Sequence, residues 1–156
     1  TLDPTGIVEC AFDAKTNTLY LREVCYRTHM ESADIIRFYK SIPPMRIMSE
    51  SADPRLVSEI SNAGIRIYPV IKGQGSVEAS ISVMKGYKML ITEDSVNLIK
   101  EIKNYTWEFD DKAKRFINQP AKGQADHLLD AARYWVMGEL MGRIKQPRDY
   151  SGIFGH

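Results

Sequence analysis

Cysteine and histidine are scarce in this chain, with two of the first and three of the second among 156 residues. Cys10 and Cys25 stand apart on apolar segments, with no CxxC pair and no clustered histidines. They read as reduced and buried, and a zinc site is disfavoured. No apolar run reaches the ~18 residues of a membrane span. No charged-then-apolar start marks a signal peptide, so the expected compartment is cytoplasmic. Charge of one sign is not in excess either: 21 basic residues face 20 acidic ones. That balance excludes a strongly basic, nucleic-acid-coating protein but still accommodates a nuclease, whose acidic site would offset a basic rim.

Nucleotide and nucleophile signatures are missing as well. The spacing GxxxxGK[ST] does not occur, and in "KGQGSVEAS" Glu78 stands where GxGxxG requires glycine. Amides after Gly73 and Gly75 could still receive a phosphate at a helix N-terminus, or the stretch is a plain serine-capped loop. No GxSxG is present, and His29 and His156 have no evident partners, so serine or cysteine nucleophiles have little support.

What is present is one domain's worth of chain, 44% hydrophobic, enough for a proper core. Gly6–Phe12 and Thr18–Tyr26 are β-rich runs joined by "DAKTN", and they predict a hairpin. A helix through Ile35, Ile36 and Phe38, capped by Ser32, is stopped by "SIPPM". "MRIMS" and "IRIYPVI" read as short buried strands. Between them lies a helix with Pro54 near its start and Gly64 just past its end. Ser76 caps a helix through Met84, "KMLIT" is a strand, and Ser95 caps a helix with Leu98, Ile99 and Ile102 on its apolar stripe. "YTWEF", "DDKAK" and "RFINQP" suggest a second hairpin, its tip carrying Lys112, Lys114 and Arg115. Such a tip could follow a duplex backbone, or it could simply be solvated.

A hairpin followed by alternating strands and helices predicts an α/β fold. Its central mixed sheet would be antiparallel at first and parallel afterwards, with helices on both faces. Residues 1–144 form the expected domain, and 145–156 a tail. In open sheets of this kind, sites form at the carboxyl ends of parallel strands. Glu50 stands there, directly after "MRIMS". An unpaired carboxylate in an apolar setting is costly; the alternative is that Glu50 turns into solvent or caps the next helix.

The last helix poses the sharper question. In "ADHLLDAARYWV", a rotation of ~100° per residue puts Leu128, Leu129, Ala132, Trp135, Val136 and Leu140 on one face. Asp126, Asp130 and Arg133 fall on the other, with His127 and Tyr134 at its edge. This polar side either is solvated or faces a metal ion, and periodicity does not separate the two.

Several stretches, taken in order, resemble the nuclease domain of the large terminase subunit, the DNA-packaging motor of tailed bacteriophages. They are "DPTGIVE", "LYLREVCYR", "ESADPRLVSEISNAGI", "KGQGSV", "VNLIKEIKNYTW", "INQP" and "DHLLDAARY". None is diagnostic alone; their collinearity is. The resemblance implies a ribonuclease H-like fold and an endonuclease cutting double-stranded DNA largely without regard to sequence. It implies two Mg²⁺ or Mn²⁺ ions, roughly 3.5–4 Å apart in such sites, activating water and stabilising the leaving oxygen.

By the same resemblance, Glu50 and Asp130 are metal ligands and catalytic residues, His127 assists from one turn before Asp130, and Asp3 is a weaker candidate ligand. Lys72 matches a position near the site and would face phosphate. The first acidic ligand is expected on a strand upstream of Asp3, outside residues 1–144. The implied partners are the terminase ATPase domain, the small terminase subunit and the portal, in the cytoplasm of an infected host. Rival readings are a Holliday-junction resolvase or another nuclease of this fold, and an inactive domain docking on DNA or portal.

Overall fold

The structure is a computed structural model that describes residues 3–105, 107–110, 112, 114–120 and 124–144. The expected tail, 145–156, lies outside them. The described chain forms two compact units. Among the described residues, one is built on Arg27–Gly73 and 134–144, and the other on Gly6–Tyr26 and Gln74–Arg133.

In the second unit, β1 (Thr5–Asp13) and β2 (Thr18–Arg27) are the predicted hairpin strands. Asn17, at the end of the turn, takes a left-handed φ of 50° that asparagine tolerates well. β5 (Lys88–Ile91) pairs in parallel with β2, Thr18 opposite Lys88 and Leu21 opposite Ile91, completing a three-stranded mixed sheet in the order β1-β2-β5. Leu19 and Leu21 are almost wholly buried while Tyr20 between them is exposed, the period of two that a sheet with one covered face requires. The helices α3 (Ser76–Lys85) and α4 (Val96–Asn104) and the antiparallel pair β6 (Trp107–Asp110) and β7 (Arg115–Pro120) belong to the same unit.

In the first unit, α1 (Ser32–Lys40) and α2 (Pro54–Asn62) alternate with β3 (Ile47–Ser49) and β4 (Ile67–Pro69), which pair in parallel. Ile35, Val57, Ile60 and Ile67 form a buried cluster between them. Each such side chain contributes roughly 1.5–3 kcal/mol by leaving water. The prolines and glycines punctuate as expected: Pro54 opens α2 behind an Asp53 cap that accepts from the Leu56 amide, and Gly64 follows it at φ 90°.

Two caps differ from expectation. α1 is capped by Glu31 rather than Ser32, because Glu31 and Asp34 exchange side-chain and backbone bonds in a capping box. α3 is capped by Gly75 rather than Ser76: the backbone there has φ 78°, which suits glycine, and Ser76 is buried as the first helical residue. Cys25 is buried as expected, but Cys10 is only half-buried, since β1 is less covered than β2.

α5 (His127–Trp135) runs into a π-helical turn, Val136–Leu140. In the first unit this turn packs Met137 with Met48 and Val70, and Gly138 lies so close to Met48 that a β-carbon would collide with the Met48 side chain and stand 3.0 Å from Ile144. Among the described residues no helix is long and apolar enough to cross a membrane. Gly138→Ala is expected to destabilise the fold by about 1–3 kcal/mol, the usual cost of overpacking. Urea unfolding reads this directly, and an unchanged midpoint would mean that Met48 yields without cost.

Candidate active site

The candidate residues fall into two local groups, one in each unit. In the first unit the chain leaves β3 at Glu50, and Lys72 follows shortly after β4. Both therefore stand beyond the carboxyl ends of neighbouring parallel strands, the region where open α/β sheets build sites. Lys72 Nζ lies 3.8 Å from Glu50 Oε2 and 5.6 Å from the centre of the Tyr134 ring. The Tyr134 hydroxyl donates to the same Glu50 oxygen at 3.5 Å. These contacts are long, and the Glu50 side chain is 52% exposed. An ion pair this open contributes about 0–1 kcal/mol. Glu50 is thus oriented without being committed. Asp3 is exposed just ahead of β1.

The second group is built on α5. Asp130 is half-buried, and its Oδ1 accepts from Arg133 Nη2 at 2.8 Å and Nε at 3.2 Å. Arg133 was expected on the polar side of this helix, with Asp126 and Asp130. It is 4% exposed, with its remaining arm donating to Ser80 Oγ on α3 at 3.1 Å. A guanidinium can be buried only when its donors are met, and here a carboxylate and a hydroxyl meet them. Oδ2 of Asp130 accepts no hydrogen bond among the described residues. Burial raises the Asp126 carboxyl above its ordinary range, the nearby Asp130 charge raises it further, and His127 and Arg133 oppose both. His127 opens the helix and is half-buried.

The start of α5 is held by a residue that the sequence did not single out. Glu101, on α4 and 4% exposed, accepts through Oε1 from the Leu128 and Leu129 amides, each at 2.9 Å. Burial drives its carboxyl upward, and these two amides pull the other way. A signal existed: Glu101 falls three residues after Leu98, on the apolar stripe of its helix, where a charge is out of place. Glu23 likewise escaped notice, although it accepts from the Leu98 amide and from Asn97 at the start of α4.

The basic candidates are dispersed. Lys112 and Lys114 are exposed in the β6–β7 turn, and Arg115 opens β7. Cys10 offers no alternative chemistry, because burial, helped by the Glu9 charge, pushes its thiol up to about 12 and so keeps it protonated at neutral pH. Among the described residues no group of three or more His, Cys, Asp or Glu side chains is gathered closely enough to hold a metal ion.

Comparison with known proteins decides the family. Residues 1–137 match the terminase RNase H-like domain. The chain belongs to that family. The terminase domain also superposes on the crystal structure of the g2p (large terminase) nuclease domain from bacteriophage SPP1 with bound Mn. The TM-score is 0.76 at 23% identity, over 89% of this chain and 81% of that one. This establishes the ribonuclease H-like fold that the resemblance implied, in keeping with the α/β order that the hairpin and alternating elements predicted. No curated protein matches the terminase domain.

Two outcomes are expected from the α5 group. Arg133→Met removes three donors and leaves Asp130 without its partner, costing about 2–3 kcal/mol in a thermal or urea melt. A loss below a few tenths would show the pair to be incidental. Asp126 has a folded-state pKa above its ordinary 3.8, so the stability it contributes is present below that value and is lost as pH rises through the raised one. Asp126→Asn should therefore gain stability over the wild type as pH climbs through the acidic range, and level off above it. A difference between the two chains that does not vary with pH would contradict this.

Proposed function

We propose that this terminase domain is a divalent-metal-dependent endonuclease that cuts double-stranded DNA during viral genome packaging. The observation that carries the reading is the family match across residues 1–137, with Glu50 exposed beyond the carboxyl end of β3 in that frame. The bound Mn of the SPP1 domain supports the use of a divalent ion here.

The donors present suit such an ion. Glu50 and Asp130 offer hard carboxylate oxygens, which Mg²⁺ and Mn²⁺ prefer. Glu50 is held only by long contacts, and Asp130 has Oδ1 committed to Arg133 with Oδ2 available. Glu50 and Asp130 would hold the metal, with Asp3 a weaker candidate. When bound, the ions supply a water of lowered pKa and neutralise charge on the phosphate and the leaving oxygen.

The remaining roles belong to the chain's own side chains. Tyr134 and Lys72 hold Glu50 in place. Because the Lys72–Glu50 pair is long and exposed, Lys72 can exchange Glu50 for a DNA phosphate at little cost. His127, one turn before Asp130, is suited to orient water or pass a proton, since an imidazole ring can both donate and accept one. Arg133 keeps Asp130 aligned through two hydrogen bonds to Oδ1. Lys112, Lys114 and Arg115 would contact backbone phosphates without reading bases. The partners on this reading are duplex DNA, the packaging ATPase domain, the small subunit and the portal, in the cytoplasm of the infected bacterium.

Plasmid cleavage with Mn²⁺, Mg²⁺ or EDTA tests the proposal. Cutting should require metal and ignore sequence. Asp130→Asn should abolish it in a folded protein, a loss beyond the roughly 10–100-fold typical of groups outside the metal's own ligands. Glu50→Asp should keep some activity. Undiminished cutting by folded Asp130→Asn would sink the site assignment, and strong preference for branched over linear duplex would favour a junction resolvase.

A further inference from the structure

The N-terminus of α5 is fixed more firmly than a surface helix requires. Its first amides, like those of any α-helix, have no acceptor within the helix. A local serine or aspartate side chain usually supplies one. Here the acceptor for both the Leu128 and Leu129 amides is a carboxylate from a different helix, Glu101 of α4, at 2.9 Å in each case. Glu101 is 4% exposed, and its second oxygen, Oε2, is buried with no hydrogen-bond partner among the described residues. Leaving a buried polar atom unmet is costly, so this is an expensive way to begin a helix. The other side of the same turn is equally close. A β-carbon on Gly6 of β1 would stand 3.1 Å from the His127 carbonyl oxygen and 3.2 Å from a Leu128 methyl. The first turn of α5 is thus pinned between the backbone of β1 and the carboxylate of Glu101.

The two amides that Glu101 holds belong to the residues lying between His127 and Asp130. Any rotation or fraying of this turn moves both side chains together. We propose that Glu101 is a positioning residue for the cleavage reaction: by bonding the Leu128 and Leu129 amides it sets the register from which His127 and Asp130 act. Glu101 touches neither substrate nor metal on this account. The inference rests on the nuclease reading above, with Asp130 as a metal ligand.

Two conservative variants separate positioning from bulk stability. Glu101→Gln keeps an acceptor oxygen at the same reach. Glu101→Asp keeps the charge but draws the oxygen back by one methylene from both amides. The readouts are Mn²⁺ affinity of the protein without DNA, the Mn²⁺ concentration for half-maximal plasmid cutting, and hydrogen exchange at the Leu128 and Leu129 amides. Positioning predicts that Glu101→Asp weakens Mn²⁺ binding and raises the metal requirement by about tenfold or more, as loss of an outer-shell support does. Exchange at those two amides should accelerate, and Glu101→Gln should restore all three readouts. Folded Glu101→Asp with wild-type Mn²⁺ affinity and metal requirement would overturn the proposal, whatever its melting temperature. A Glu101→Asp chain that does not fold, beside a Glu101→Gln chain of unaltered stability that binds Mn²⁺ tenfold more weakly, would overturn it too, because charge rather than register would then matter. If the wild type does not cut DNA, the nuclease reading fails by itself, and amide exchange and Mn²⁺ affinity still decide whether Glu101 governs this turn.

Discussion

A helix cannot begin inside a protein unless its first amides find acceptors, and in the second unit these acceptors come from far along the chain. Glu23 of β2 accepts from the Leu98 amide and from the Asn97 side chain, closing the start of α4, while its own amide donates to Ser95. One turn further along α4, Glu101 accepts from the Leu128 and Leu129 amides and closes the start of α5. Carboxylates therefore link strand to helix and helix to helix in series. Each meets the positive end of a helix dipole, which favours negative charge there and partly offsets the cost of burying it. Arg133 then joins α5 to α3 through Ser80 and holds Asp130 on the way. The polar framework that carries the candidate chemistry is thus continuous with the one that builds the unit.

This framework also explains which parts of the molecule could be read from the residues in order. Element identity was legible because hydrophobic period and punctuation are local. Pro54 and Gly64 bracket α2, and alternation across Leu19, Tyr20 and Leu21 marks β2, without reference to anything distant. Caps were less legible because their acceptors need not be neighbours. Ser95 looks like the natural cap of α4, yet its side chain makes no cap bond and serves Glu23 and Thr92 instead. Ser32 and Ser76 were each displaced by one residue for a different local reason, a capping box in one case and a left-handed glycine in the other.

Arg133 shows the limit of a helical projection. Position on the wheel put it beside Asp126 and Asp130, and that neighbourhood was right, since it does bond Asp130. The projection could not show that Ser80 stands opposite, where its hydroxyl accepts from the buried guanidinium. Glu101 is the converse case: the wheel placed a charge on an apolar stripe, which looked like noise and marked the acceptor for another helix. The proposed metal ligands, Glu50 and Asp130, rest on resemblance, because a carboxylate after a strand and another on a helix are common in proteins without metal.

The two candidate carboxylates are prepared in different ways, and the difference bears on what each can do. Asp130 is half-buried and shares one oxygen with a buried guanidinium, so its orientation is set. Glu50 is exposed, longer by one methylene than aspartate, and touched only by a distant ammonium and a phenol. On the proposed reading, Asp130 would give an ion a defined position, and Glu50, held by long contacts, would turn toward it. Lys72 sits over the Tyr134 ring, which favours its positive charge without neutralising it. On that reading, if Glu50 turned to a cation, Lys72 would lose an ion pair worth little and keep the aromatic face, leaving its ammonium to meet a phosphate.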